Sequence, residues 1–255
     1  MNPAQPAAAS LVAWANAWLT GHVGLDEAAD AVERATGPHV VCGVPGEPPE
    51  LPLRRALGAL RVDGLTALRL ALPAPGDPLG LYGPPSFNTA ALEAGEAALA
   101  ALADRSLGLV PAEDRRGSSY VGVRWEVHEA RPGTPDVPGL PEADHGLSLA
   151  MREATEVLLT VDDVSAWGPE ISEALAALRD PASGVALAPG YPARAHRVAA
   201  LAGRLSVVLD LARRVEGGGL TAEQSDLRSA ALRMLDRAVR RARVAACNSA
   251  FDPVH

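Results

Sequence analysis

The stretch from Tyr120 to His128 constrains this chain most. Val121, Val123, Trp125 and Val127 alternate with Tyr120, Gly122, Arg124, Glu126 and His128. A period of two places the two sets on opposite faces of a strand. One set is apolar and the other polar, so the strand belongs to a sheet with one side on a core and one in water.

Shorter apolar runs supply further strands at His39–Val44, Leu65–Leu72 and Leu107–Val110. Helical spacing marks Ser10–Thr20, Leu25–Ala35, a short stretch around Leu53–Leu60, and Thr89–Ala103. The segment Ala112–Ser119 is charged and small, and reads as a surface turn. Proline-rich loops follow Val44 and span Pro73–Pro85, the second long enough to border a binding site.

Beyond the Pro/Gly segment Arg131–Pro141 the period changes. Helices are expected near Glu142–Leu159, Glu170–Arg179, Arg194–Val215 and Ala222–Cys247. In the last two, Val198, Leu201, Leu205, Val208, Ala212 and Val215 form an a/d seam that Leu232, Leu235, Val239, Ala242 and Ala246 continue. Gly217–Gly219 permits a reversal between them. Thr221 and Gln224 match a capping box. The fold class is therefore α+β: a small mixed or antiparallel sheet of about four strands with flanking helices, then a helical bundle containing an antiparallel hairpin. The expected division is 1–135 for the sheet-bearing region and 136–255 for the helical one, with the two able to pack as one domain.

Composition excludes some chemistry. All 23 basic residues are arginines, so a Schiff-base lysine and a P-loop lysine are ruled out. That choice, with abundant Ala, Gly and Pro, is what GC-biased bacterial coding produces. The net charge of −8 argues against nucleic acid. It is unevenly spread: from Tyr191 onward there are 11 arginines against 6 acids, and before it 12 against 25. Two distant cysteines, Cys42 and Cys247, suggest a reducing compartment. With no signal-peptide pattern and no membrane-length apolar run, the expected location is the cytoplasm.

No assembled catalytic motif is present, so candidates rest on placement. His128, Glu126 and Arg124 share the polar face of the best strand, where a general base and its orienting partner could sit. Arg237, Arg240 and Arg241 crowd the end of the last helix. Cations are favourable there, and Asp236 offers Arg240 an i+4 partner. The same arginines could instead bind an anion, or dock on the acidic first half. Trp14, Trp18, Leu201, Leu205 and Val208 are interface candidates. No metal-ligand spacing and no cofactor motif is found. The reading is a non-catalytic interaction or regulatory protein acting as a homo-oligomer, with a protein partner allowed and no membrane association. The alternatives are a small-molecule enzyme with its site near the strand ends, and anion or nucleic-acid binding through the C-terminal arginines.

Overall fold

The computed structural model describes residues 6–116, 120–131, 133, 135–161, 187–214 and 221–251. The elements run α1 (Ala7–Leu19), α2 (Leu25–Thr36), β1 (His39–Cys42), β2 (Glu50–Pro52), α3 (Leu53–Val62), β3 (Ala67–Ala71), α4 (Pro85–Ala94), β4 (Ala97–Ala101), β5 (Ser106–Arg116), β6 (Tyr120–Ala130), α5 (Leu140–Val161), α6 (Ala193–Arg214) and α7 (Ala222–Asn248). A 3-10 turn, Ser249–Phe251, follows. The expected helix at Glu170–Arg179 lies outside the described residues.

Among the described residues the sheet has six strands, in the order β2-β1-β6-β5-β4-β3, rather than about four. It is mixed: β1 runs parallel to β6, and every other pair is antiparallel. One added strand, β4, comes from residues expected to be helical. Gly95 adopts φ +72° and stops α4, so Ala97–Ala101 starts afresh as an extended segment. Alanine favours helix, but pairing with β3 and β5 overrides that weak preference. The small side chains also let helices approach both faces. Ala98 and Ala100 join the main core, and Ala97 joins a second cluster beneath α4. The second addition, β2, is a three-residue edge inside the proline-rich loop. The expected turn after Val110 is instead the far arm of β5, paired with β6 from Ser106↔Ala130 to Arg116↔Tyr120.

One face of the sheet carries the main core. Leu68, Leu107, Leu109, Val123 and Trp125 meet Leu11 and Val12 of α1, and the same cluster takes in Leu205 of α6 and Val239 of α7. Helices α5 and α6 both pack against α7. Among the described residues, the opposite face is only half roofed. Phe87 and Ala91 of α4 cover Ala97, Leu99 and Val110, and the Phe87 ring sits where a Cβ on Gly108 would be. The alternation in β6 leaves Arg124, Glu126 and His128 on this second face. The capping box at Thr221 and Gln224 is formed, with Gln224 N donating to Thr221 Oγ1 at 3.2 Å and Thr221 N donating to Gln224 Oε1 at 2.9 Å.

Strand β3 ends the sheet, and its outward backbone groups need partners. Asn16 of α1 supplies them at Leu68. Its Oδ1 accepts from Leu68 N at 2.8 Å and its Nδ2 donates to Leu68 O at 2.8 Å. Asn248, at the end of α7, does the same at Leu70, with distances of 2.7 and 3.2 Å. At Leu72 the N–H donates to Leu79 O and the carbonyl accepts from Arg240 Nη1 at 2.8 Å. Two amide side chains thus imitate a seventh strand. Asn16→Ala would strand one buried N–H and one buried carbonyl. At about 1–3 kcal/mol each, the expected loss is about 2–6 kcal/mol. Urea unfolding of this variant checks it, with an exposed asparagine substitution as the reference.

Candidate functional site

Two places gather chemistry-bearing side chains. The first is the open half of the sheet. Arg124 donates from Nη1 to Cys42 Sγ at 2.7 Å and from Nη2 to Glu50 Oε2 at 3.0 Å. Glu126 lies 4.0 Å from Arg124 Nη1. Arg116 reaches Glu50 at 2.7 Å and Asp114 at 2.9 Å, and stacks near the Tyr120 ring. The Arg116 hydrogen bond is the main reason that the Glu50 carboxyl is held below the usual range. Burial, seconded by Glu126, pushes the Cys42 thiol up despite Arg124, which disfavours the thiolate a nucleophile needs. The structure brings Arg124 and Glu126 together. His128 instead meets the Phe87 ring, with centroids 5.9 Å apart, at the edge of the α4 roof.

The second place joins α7 to the loop after β3. Asp77 is buried in that loop. Arg237 Nε and Arg240 Nη2 approach its Oδ2 at 3.4 and 3.1 Å, and Arg241 Nη1 approaches Oδ1 at 3.2 Å. Arg240 also reaches Asp236 at 3.2 Å, and Arg213 reaches Asp236 at 2.9 Å. The three arginines singled out in the sequence therefore converge on one carboxylate of the acidic half. Asp77 also borders a cavity of about 270 Å³, lined with Pro73, Leu81, Asn88, Thr89 and Leu92. Among the described residues the buried Oδ1 of Asn88 has no hydrogen-bond partner.

Of the interface candidates, Leu205 is buried in the main core, and Trp14, Trp18 and Leu201 are half-buried against it. Val208 is half-buried. Among the described residues, no group of three or more His, Cys, Asp or Glu is placed to hold a metal ion. No described helix is long and apolar enough to cross a membrane.

Two further titratable groups, His39 and Glu96, are not legible in the sequence. His39 is buried between α2 and β6. Trp125 Nε1 donates to its Nδ1 at 3.1 Å, so its proton sits on Nε2 and is donated to Thr36 Oγ1 at 2.7 Å. Burial lowers its pKa to about 4. Glu96, buried just before β4, accepts from Ala8 N at 2.7 Å and so caps α1 from 88 residues away. Burial raises its pKa to about 7, against the pull of the α1 N–H groups and Arg243. Arg243 is itself buried and donates to Ser206 Oγ at 2.9 Å. Its neighbour Cys247 is pushed up to about 12 by burial. No motif spacing announces His39 or Glu96. The nearest signal is Asn16, a poor helix former inside an apolar helix.

Fold and site define an α+β protein in which helices from both halves of the chain roof one side of a mixed sheet, and charged side chains draw loop and helix together. Residues 8–138 match the Rv1486c-like protein, N-terminal domain, and residues 141–244 match the Rv1486c-like protein, C-terminal domain. The chain belongs to this Rv1486c-like family. It is similar to Uncharacterized protein Rv1486c of Mycobacterium tuberculosis (strain ATCC 25618 / H37Rv), 32% identical over 191 residues, covering 60% of this chain and 64% of the relative. Uncharacterized protein MT1533 of Mycobacterium tuberculosis (strain CDC 1551 / Oshkosh) matches with the same figures. The chain thus spans under two thirds of the length of these two relatives. Uncharacterized protein ML1804 of Mycobacterium leprae (strain TN) is 29% identical over 296 residues, covering 94% of this chain and 95% of the relative. No solved structure matches.

Two measurements test the electrostatics. Arg240 is largely buried and serves Leu72 O, Asp77 and Asp236, so Arg240→Ala should cost about 3 kcal/mol. Arg237 is 60% exposed, and Arg237→Ala should cost less than about 1 kcal/mol. Equal losses in denaturant titration would contradict this ranking. His39 and Glu96 act oppositely with pH. For His39 the unfolded chain binds more protons below its ordinary 6.5, so its stabilisation is lost as pH falls toward 4, by about 3 kcal/mol in all. For Glu96 the folded chain holds the proton longer, so its stabilisation is full below 4.5 and is lost as pH rises through 7. Wild type should therefore gain stability relative to Glu96→Gln as pH falls from 7 to 4.5. A constant difference between the two across that range would refute the assignment.

Proposed function

We propose that this chain is a non-catalytic interaction or regulatory protein that acts as a homo-oligomer. The observation that carries the reading is the outer surface of the helical region. Leu149 and Leu159 of α5, Val207 of α6 and Leu227 of α7 are exposed, Leu159 to 64% and Leu227 to 49%. Branched apolar side chains on three packed helices suit association with a second copy. The a/d seam does not supply that surface. Leu205, Leu232, Leu235, Val239 and Ala242 are buried within the chain itself.

In this proposal α6 and α7 run as an antiparallel hairpin, residues 1–135 are the sheet-bearing unit, and residues 136–255 carry the association surface. The non-catalytic reading is supported by how the reactive groups are spent. Arg124 is committed to Cys42 and Glu50, burial keeps both thiols protonated, and His39 is locked neutral.

Sedimentation velocity at micromolar concentration tests the reading. A dimer or larger species is expected, shifted to monomer by Leu149→Glu with Leu159→Glu. A wild-type monomer across the micromolar range would overturn it.

A further inference from the structure

We propose that Arg237, Arg240 and Arg241 form a binding site for the oxyanion of a small ligand, a carboxylate or a phosphate, and that Asp77 fills this site in the unliganded protein. This goes beyond the association reading and is independent of it.

The way Asp77 is held carries the argument. A guanidinium and a carboxylate pair best through two parallel hydrogen bonds of about 2.7–2.9 Å. Arg116 and Glu50 approach to 2.7 Å elsewhere in this protein. Among the described residues Asp77 has no contact that short. Its two oxygens are shared among three guanidiniums at 3.1, 3.2 and 3.4 Å, one nitrogen from each. Among the described residues Arg237 and Arg241 make that single contact, and a guanidinium has five N–H donors. Their side chains are 60% and 30% exposed. Counting Asp236 and its partner Arg213, four arginines face two carboxylates. Among the described residues this leaves a surplus of two positive charges at the cluster, in a chain whose net charge is −8. Like charges held this close are stabilised by an added anion.

The second observation is the ground beside the cluster. Asp77 borders both the arginines and the cavity of about 270 Å³. Pro73, Pro78, Leu81 and Leu92 give that cavity apolar walls, while Thr89 and Asn88 give it polar ones. A ligand whose oxyanion replaced the Asp77 carboxylate could lay its body there.

The loop also carries stored strain. Leu79, two residues on, is a non-glycine residue at φ +25°, held by burial and by the hydrogen bond from Leu72 N to its carbonyl. Such positions concentrate at ligand clamps. Displacing Asp77 would loosen the segment that holds it.

The test is titration calorimetry with inorganic phosphate, and separately with succinate, at ionic strength matched with sodium chloride. Asp77→Ala vacates the site and should bind at least one of the two anions tenfold or more tighter than wild type. Adding Arg237→Ala and Arg241→Ala to that variant should abolish the gain. A preference for phosphate or for succinate names the ligand chemistry. Asp77→Ala that binds neither anion more tightly overturns the proposal, and so does a gain that survives loss of the two arginines. If Asp77→Ala fails to fold, as judged by circular dichroism, the isosteric Asp77→Asn takes its place under the same criteria. Both read-outs stand whether the chain is a monomer or an oligomer.

Discussion

The open edge of β3 is the constraint on which the rest of the structure hangs. A terminal strand shows water a row of N–H and C=O groups, and burying that row without partners is costly. Here the row is buried, and its partners come from opposite ends of the chain. Asn16 belongs to the first helix and Asn248 to the last, yet they bond Leu68 and Leu70, two residues apart on one strand. Arg240 adds a third contact at Leu72, again from the last helix. Sheet and helical regions are therefore joined by directional bonds as well as by a shared apolar core.

The same logic governs the buried charges. Glu96 caps α1, Arg243 sits in the helical layer and Asp77 anchors the loop after β3. Each is removed from water, and each faces groups of opposite sign or backbone dipoles. Such arrangements contribute little net stability compared with apolar replacements, but losing one partner is expensive. They fix which surfaces meet. The half-roofed second face of the sheet is built differently. Its Arg116, Glu50, Arg124 and Asp114 form a network partly open to water, where screening weakens each pair.

Strong periodicity was the part of the fold legible in the sequence. The alternation at Tyr120–His128 located β6 and its two faces, and the seam and capping box located α6 and α7. What periodicity could not reveal was context. Ala97–Ala101 has helical composition, and only its neighbours β3 and β5 make it a strand. Glu50–Pro52 is too short to show any period. At the site, charge clustering pointed to Arg237, Arg240 and Arg241. Their partner Asp77 lies more than 150 residues away in a turn-like stretch, where local sequence carries no trace of the contact. Asn16 and Glu96 escaped for the same reason: each acts at long range.

The distance between Leu70 and Asn248 has a consequence for synthesis. A ribosome adds about 5–20 residues per second. The 178 residues between them take about 10–35 s to follow, and once β4, β5 and β6 have paired within that interval the growing chain carries a sheet edge whose final partner has not been made. Asn16 is already present and can shield Leu68, but Leu70 has to wait. A nascent chain in this state is prone to pair with another like it, so rapid translation of the second half, or a chaperone held on the first, would favour the soluble product.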